Sequence, residues 1–310
     1  MFFENVKTAA QQVGILYIMV LAGVICDKIG IFTEKTGKAC TDLLFYLITP
    51  AVIVNSFLTQ EFTKESGTKL LIALGCGFIL HFIAIGINTP LFSRGNKDEN
   101  CVYKYGSIYG NVGYMTLPLT QAILGSEGVF YCSAVVMAFN VVSFTHGTFM
   151  MDKKAEKFQA KLLIVNPGVV AVLIGLPFFL LNADLPVLIT KPVDYVASIQ
   201  TPLAMLVFGT FLANTKLGDI FRNKKIFLVV LSKLIVLPAI MFCVYRLFGL
   251  TGNLLIAMTI SSCAPSANNT VMFSAKYGKD TGLAAQVVAT CSFISIITIP
   301  LIIAAVQTVA

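Results

Sequence analysis

The sequence predicts an all-α polytopic membrane protein of ten transmembrane helices, built as a five-plus-five inverted repeat in which helices 4 and 9 are broken and cross. Three observations carry this expectation: an apolar composition that runs from end to end, basic residues that alternate between successive connections, and interruptions at corresponding places in the two halves. Hydrophobic residues make up 57% of the 310 and charged residues only 12%, where a soluble chain carries about 25% charged. No long polar stretch separates the apolar runs, so residues 1–310 read as a single transmembrane domain.

A spanning helix needs about 20 apolar residues. Runs of that kind lie near 9–27, 39–59, 68–92, 103–124, 128–151, 162–182, 193–214, 225–246, 251–275 and 280–307. Several contain Pro or Gly, which a membrane helix tolerates when its neighbours satisfy the freed backbone groups. The N-terminus carries Glu4 and Lys7 ahead of the first run, and no small-residue cleavage pattern follows it, so a cleaved signal peptide is not expected.

The formal net charge is +7, and Lys and Arg fall almost wholly between the apolar runs. Sixteen lie in connections 1–2, 3–4, 5–6, 7–8 and 9–10, five lie at the termini and in the other connections, and Lys233 alone is left inside a span. Cytoplasmic loops carry the basic excess, so both termini are expected outside the cytoplasm, in an inner or plasma membrane. The charge therefore reports topology, and nucleic acid is not an expected partner. Eight cysteines (Cys26, Cys40, Cys76, Cys101, Cys132, Cys243, Cys263, Cys291) lie mostly in or beside apolar runs without CxxC or His spacing. Neither a disulfide framework nor a metal site is expected, and no cofactor.

At an offset of 152 residues, Asp42, Thr49 and Pro50 of helix 2 fall on Asp194, Thr201 and Pro202 of helix 7, and Ala134-Val-Val falls on Gln286-Val-Val. An offset of 153 sets Gly125 on Gly278. The halves are thus expected near 9–151 and 162–307. With five helices each, an odd number, the second must enter from the opposite side, which makes the repeat inverted.

Span 4 reads Tyr109-Gly110-Asn111-Val-Gly113-Tyr114-Met-Thr-Leu-Pro118, and span 9 reads Ser261-Ser-Cys-Ala-Pro265-Ser266-Ala-Asn268-Asn269-Thr270. Neither can stay helical throughout. A break exposes unpaired N–H groups and a positive dipole end at the start of its second half-helix, and unpaired carbonyls at the end of its first. Facing half-helix N-termini make an anion site without a basic side chain. Asn111, Gly113, Tyr114, Pro118, Asn140, Pro265, Ser266, Asn268, Asn269 and Thr270 are the candidate substrate-binding residues, with Asn55 and Lys233 as further candidates.

These two segments, with Phe273-Ser-Ala-Lys-Tyr277-Gly278, Ile297-Thr298-Ile299-Pro300, Asn166-Pro167-Gly168 and Thr201-Pro202-Leu-Ala-Met, resemble the auxin efflux carrier family, which includes the plant PIN-FORMED proteins and bacterial malate or malonate permeases. The resemblance covers essentially the whole chain. It implies ten helices in a five-plus-five inverted repeat, crossing at the prolines of helices 4 and 9, here Pro118 and Pro265. This chain lacks the long cytoplasmic loop of many plant members, so plant auxin is not implied as substrate.

Other polar residues leave alternatives open. Lys233 either attracts the anion or snorkels to the cytoplasmic face. His81 and His146 are proton relays or hydrogen-bonded structural residues. Asn55 and Asn140 flank the crossing or bridge helices. Apart from Asp280, Asp42 and Asp194 are the carboxylates inside spans, about 12 Å along a helix from their prolines, which makes H+ or Na+ coupling through a central carboxylate hard to build.

The functional expectation is a secondary transporter, not an enzyme, that moves a small organic anion (malate-, malonate- or auxin-like) by alternating access. A Na+- or H+-coupled symporter of another organic acid class, such as bile-acid-like substrates, and a channel are the alternatives. The partners are then the anion, the lipid bilayer, a coupling ion (H+ or Na+) where transport is coupled, and a second copy in a homodimer.

Overall fold

The computed structural model describes residues 2–151, 166–213 and 223–309, and among these the chain is helical with no strand. The expected ends of spans at 162–165 and at 214 lie outside the described residues, as do six of the connection basic residues, Lys153, Lys154, Lys157, Lys161, Lys216 and Arg222. The segments Lys35–Leu58, Lys64–Leu91, Val112–Met151, Lys224–Leu247 and Thr281–Gln307 are each long and apolar enough to cross a membrane; Pro167–Leu180 and Gly252–Ser262 are apolar but shorter. The chain is thus a multi-pass membrane protein.

The first part of the chain runs through α1 (Phe2–Lys28), α2 (Glu34–Leu43), α3 (Thr49–Leu58) and α4 (Lys64–Leu91). Then follow α5 (Lys97–Ile108), α6 (Leu117–Val142) and α7 (Thr148–Met151). The second part holds α8 (Pro167–Leu180), α9 (Val187–Ser198), α10 (Gln200–Ala213), α11 (Lys224–Leu231) and α12 (Leu237–Leu247). It ends with α13 (Gly252–Ser262), α14 (Asn269–Lys276) and α15 (Thr281–Gln307). α5 begins six residues before the expected 103, because Asn96 caps it by accepting from the Asp98 N–H while Asp98 and Glu99 sit at its positive end. Hydropathy alone misses a helix start made of charged residues.

Proline shapes several of the rods. π-helical turns at Leu44–Ile48, Val112–Thr116 and Ser232–Val236 are each followed, two residues on, by Pro50, Pro118 and Pro238. Proline has no N–H, and its ring clashes with the carbonyl four residues back. One extra residue in the preceding turn moves that carbonyl aside, so the rod continues without a break. Pro202, which aligns with Pro50, is handled differently: α9 ends at Ser198 and α10 begins at Gln200.

Gly125, at φ 64° and ψ −153°, divides α6 into two rods. Thr120 Oγ1 lies 3.3 Å from Cys132 Sγ, whereas 12 positions along a straight helix span about 18 Å. The chain therefore folds back at Gly125, where a positive φ suits glycine. The segment Val112–Met151 is the most enclosed of the long apolar stretches, and α6 packs against α3, α4, α8 and α13. Large apolar side chains face outward elsewhere, among them Ile18, Leu71, Leu181, Leu188 and Leu247. In water such a surface would drive aggregation; in a bilayer it is the lipid contact.

The most extensive pairing is that of α1 with α10. It depends on Gly23 and Gly209, since a Cβ on Gly23 would lie 2.3 Å from the Leu206 carbonyl oxygen and one on Gly209 would lie 2.2 Å from that of Val20. Small residues let membrane helices approach to backbone contact, where dispersion replaces the missing hydrophobic drive.

Candidate functional site

Between α5 and the turn at 112 the chain is extended, with Tyr109 at φ −93° and ψ 118°. The second interruption, 263–268, separates α13 from α14. The two interruptions pair with one another. The Asn111 N–H donates to the Pro265 carbonyl at 2.7 Å and the Ala267 N–H to the Tyr109 carbonyl at 2.9 Å, which sets Gly110 opposite Ser266 in an antiparallel bridge. Each broken segment thus supplies the backbone partners the other lost, as an apolar surrounding demands. The close approach needs Gly110: a Cβ there would lie 2.9 Å from Ala264 Cβ and 3.1 Å from Lys233 Nζ. The meeting point is therefore Gly110 and Ser266, not the prolines together. Pro265 contributes its carbonyl, but Pro118 lies in the first turn of α6 and lines a different cavity.

A cavity of about 50 Å³ lies beside this bridge, room for a few waters. Three helix N-termini converge on it, each headed by an asparagine. Asn111 caps the half-helix after the first break, its side chain accepting from the Tyr114 N–H; Asn268 stands at the N-cap of α14 with no cap bond of its own; Asn166 caps α8, accepting from the Gly168 and Val169 N–H groups. The Asn166 amide also donates to Asn140 Oδ1 at 3.2 Å, and Asn140 lines the same wall. Gly110, Gly113, Tyr114, Asn269, Phe45 and Thr49 also line it, and among the described lining residues there is no Lys, Arg, Asp or Glu. Three positive dipole ends with amide donors, in a wall free of charged side chains, suit a small anion.

Of the other sequence candidates, Ser266 is fully buried and donates from Oγ to the Gly106 carbonyl at 2.6 Å, which fixes the second break to α5. Thr270 is buried with its Oγ1 unpartnered and is not among the residues that line the cavity. Asn166 was legible only as a helix start, through Asn-Pro-Gly, the pattern of an N-cap followed by proline at the first helical position. Nothing in one sequence says that this cap faces the two breaks.

Lys233 does not snorkel. It is 1% exposed, and its ammonium donates to the Ile108 carbonyl, the last of α5, at 3.1 Å. A positive charge thus sits at the negative end of the first half-helix. Next to it, Ser232 Oγ donates to Asn88 Oδ1 at 2.6 Å, which ties this helix to α4. The ammonium lies behind Gly110, which lines the cavity. A unit charge some 8 Å from a bound anion is worth about 2 kcal/mol at an effective dielectric near 20. Lys233→Met is expected to lower uptake more than tenfold in liposomes while the protein stays monodisperse, because the desolvation it relieves offsets the hydrogen bond it loses. Wild-type uptake would remove Lys233 from the site.

His81 is buried, its Nδ1 2.6 Å from the Gly77 carbonyl of its own helix. His146 Nδ1 is 2.8 Å from Tyr109 Oη. Tyr105, Tyr109, Phe139 and Phe273 pack around this pair in a continuous aromatic cluster. A second and larger cavity, of about 330 Å³, lies against Pro118 and is lined by Asn55, Gln121, Asp194, Gln200 and Thr201 among others. It reaches the surface at exposed Thr59, Gln121 and Ser198.

Residues 8–303 match the family described as Membrane transport protein. The chain belongs to that family. The likeness of its interrupted segments to the auxin efflux carriers is thus one of common family. Two relatives align with nearly the whole chain. An uncharacterized transporter of Methanocaldococcus jannaschii is 25% identical over 307 residues, 93% of this chain and 95% of the relative. A protein of Rhizobium meliloti described as "Putative malonate transporter" is 23% identical over 300 residues, 92% of this chain and 91% of the relative. This family member is a membrane transporter, and the paired breaks with their asparagine-headed N-termini are its candidate site.

Proposed function

We propose that the chain is a secondary transporter of a small organic carboxylate, bound where the N-termini headed by Asn111, Asn166 and Asn268 converge. That convergence, in a wall without a charged side chain, is the observation that carries the reading. The printed description of the Rhizobium relative points to short carboxylates of the malonate kind.

Ten spans in two inverted five-helix halves supply the motion. Helices 4 and 9 cross near the bilayer midplane at Gly110 and Ser266, and one bundle moves against the other around the bound anion. The basic-residue count sets connections 2–3 and 4–5 on the extracytoplasmic side. On that orientation the conformation is outward-facing, because the larger cavity is lined by Thr59 and Ser126 from those two connections. The aromatic cluster around Tyr109 and His146 then closes the cytoplasmic path. Lys233 provides at the carbonyl end of α5 the positive charge that a bound Na+ would otherwise bring, so Na+-independent transport is the form this site favours.

Liposome uptake of radiolabelled malonate tests the assignment. Asn111→Ala and Asn268→Ala are each expected to lower uptake about tenfold or more, a charge-assisted hydrogen bond being worth about 1.5–3 kcal/mol, with gel-filtration profiles unaltered. Wild-type uptake in both variants would sink it.

A further inference from the structure

Lys233 is a buried basic group without a counter-charge. Among the described residues, its Nζ is faced by the Ile108 carbonyl from α5, His81 from α4, Cys263 from the second interruption and Cys291 from α15. No carboxylate is in that set. A buried ammonium is normally held by a paired carboxylate and by acceptors for its remaining protons. Here one carbonyl accepts, and the helix end behind it supplies only about half a negative charge.

The missing charge is the one a substrate anion brings. Gly110 lines the small cavity, and a Cβ on it would lie 3.1 Å from Lys233 Nζ. A single layer of backbone, with no side chain on it, therefore separates Nζ from the space proposed for the carboxylate. Contact is not required, because the field acts across that layer. At about 8 Å and an effective dielectric of about 20, the attraction amounts to about thirtyfold in affinity. Such coupling is reciprocal: a bound carboxylate favours the proton on Lys233 by the same factor as the proton favours the carboxylate. The other titratable groups are engaged elsewhere. His81 Nδ1 lies 2.6 Å from a carbonyl of its own helix, His146 Nδ1 is bonded to Tyr109 Oη, and Asp194 is half-exposed beside Lys191.

We propose that Lys233 is the proton-coupling residue, and that the chain carries its anion in symport with one proton. On the loading side the Nζ lone pair takes a proton from water as the carboxylate binds, and a monoanion then forms a pair with no net charge. On the other side the carboxylate leaves and the ammonium returns its proton to water. The empty carrier reorients with a neutral amine, whose N–H still donates to the Ile108 carbonyl, so no uncompensated charge crosses the membrane. This deepens the proposed anion site and rests on it.

Titration calorimetry with malonamate, a monoanion throughout the neutral range, in buffers of different ionisation enthalpy counts the protons taken up per anion bound. Wild type is expected to take up a fraction of a proton that rises toward one with pH. In liposomes, an inward malonamate gradient should acidify trapped pyranine. Lys233→Arg, charged at every pH, and Lys233→Met, never charged, should both bind without proton uptake, Lys233→Met about thirtyfold more weakly; either variant suffices if the other does not fold. His81→Gln and His146→Gln should keep the wild-type count. Saturable binding to wild type with no proton uptake at any pH, or a count that survives in a Lys233 variant or vanishes in a histidine variant, overturns the proposal and leaves the anion site standing. If neither malonamate nor malonate binds wild type, or if Asn111→Ala binds them as wild type does, the anion site itself fails and the proposal with it.

Discussion

Gly110→Val is expected to abolish uptake and to lower thermal stability more than a substitution at any asparagine of the site. Even the first added carbon would lie 2.9 Å from Ala264 Cβ and 3.2 Å from the Ala264 carbonyl, and valine adds two methyls beyond it. The two interruptions must then separate, and the bonds from Asn111 to Pro265 and from Ala267 to Tyr109 are lost together. The two lost bonds leave four buried backbone groups unpaired at about 1–3 kcal/mol each, so the loss amounts to about 4–12 kcal/mol before any overpacking. The Asn111 and Asn268 N-termini also move apart, which removes the anion cavity. A melting curve in detergent and a liposome assay check both halves of the prediction, and Gly110→Ala should fall between. Uptake within twofold of wild type for Gly110→Val would show that the bridge is not needed.

Gly209→Val is expected to act on folding rather than on the site. The atoms its Cβ meets are backbone: the Val20 carbonyl oxygen at 2.2 Å, Gly23 Cα at 2.8 Å and the Val24 nitrogen at 2.8 Å. A side chain could swing away, but a helix backbone cannot, so α1 and α10 must part along their whole contact. Overpacking of this kind typically costs about 1–3 kcal/mol and more where nothing can yield. The expected result is loss of the monodisperse peak on gel filtration and a yield lower by an order of magnitude. Gly86, with nothing within 4 Å of its would-be Cβ, is the control: Gly86→Ala should purify as wild type does. A normal profile for Gly209→Val would mean that the α1–α10 contact is looser than it stands here.

How much of this was legible in the sequence depends on where the information is local. The interruptions were, because Gly110, Asn111, Gly113 and Pro118, or Pro265, Asn268 and Asn269, stand out from an apolar background and cannot continue a helix. The point at which they meet was not. Proline marks a break, yet the contact falls eight residues before Pro118, where the backbone is extended and glycine leaves room. The π-helical turns were also hidden: proline announces a disturbance, but whether the helix bulges, as before Pro50, or parts, as between Ser198 and Gln200 ahead of Pro202, is settled by what packs around it. Asn166 and Gln200 are the instructive omissions. Each reads locally as an ordinary helix start, and each meets its partner in the fold, Asn140 for Asn166 and Gly113 for Gln200, only across 26 and 87 residues of chain.

The same holds for Lys233. A lone lysine in an apolar run reads equally as a snorkelling side chain or a functional charge, and its burial against the Ile108 carbonyl separates the two. The partner is a backbone atom 125 residues away, and no motif encodes it.

The central claim is that a carboxylate sits among the asparagine-headed helix N-termini. Solid-state NMR on reconstituted protein measures this directly, as the dipolar coupling between ¹³C-carboxyl-labelled malonate or malonamate and ¹⁵N-labelled asparagine side chains. A coupling that places the carboxyl carbon within about 4 Å of an asparagine amide nitrogen, and that disappears in Asn111→Ala or Asn268→Ala, is the predicted result. A bound carboxylate with no asparagine coupling, or one whose coupling survives in both variants, would contradict it.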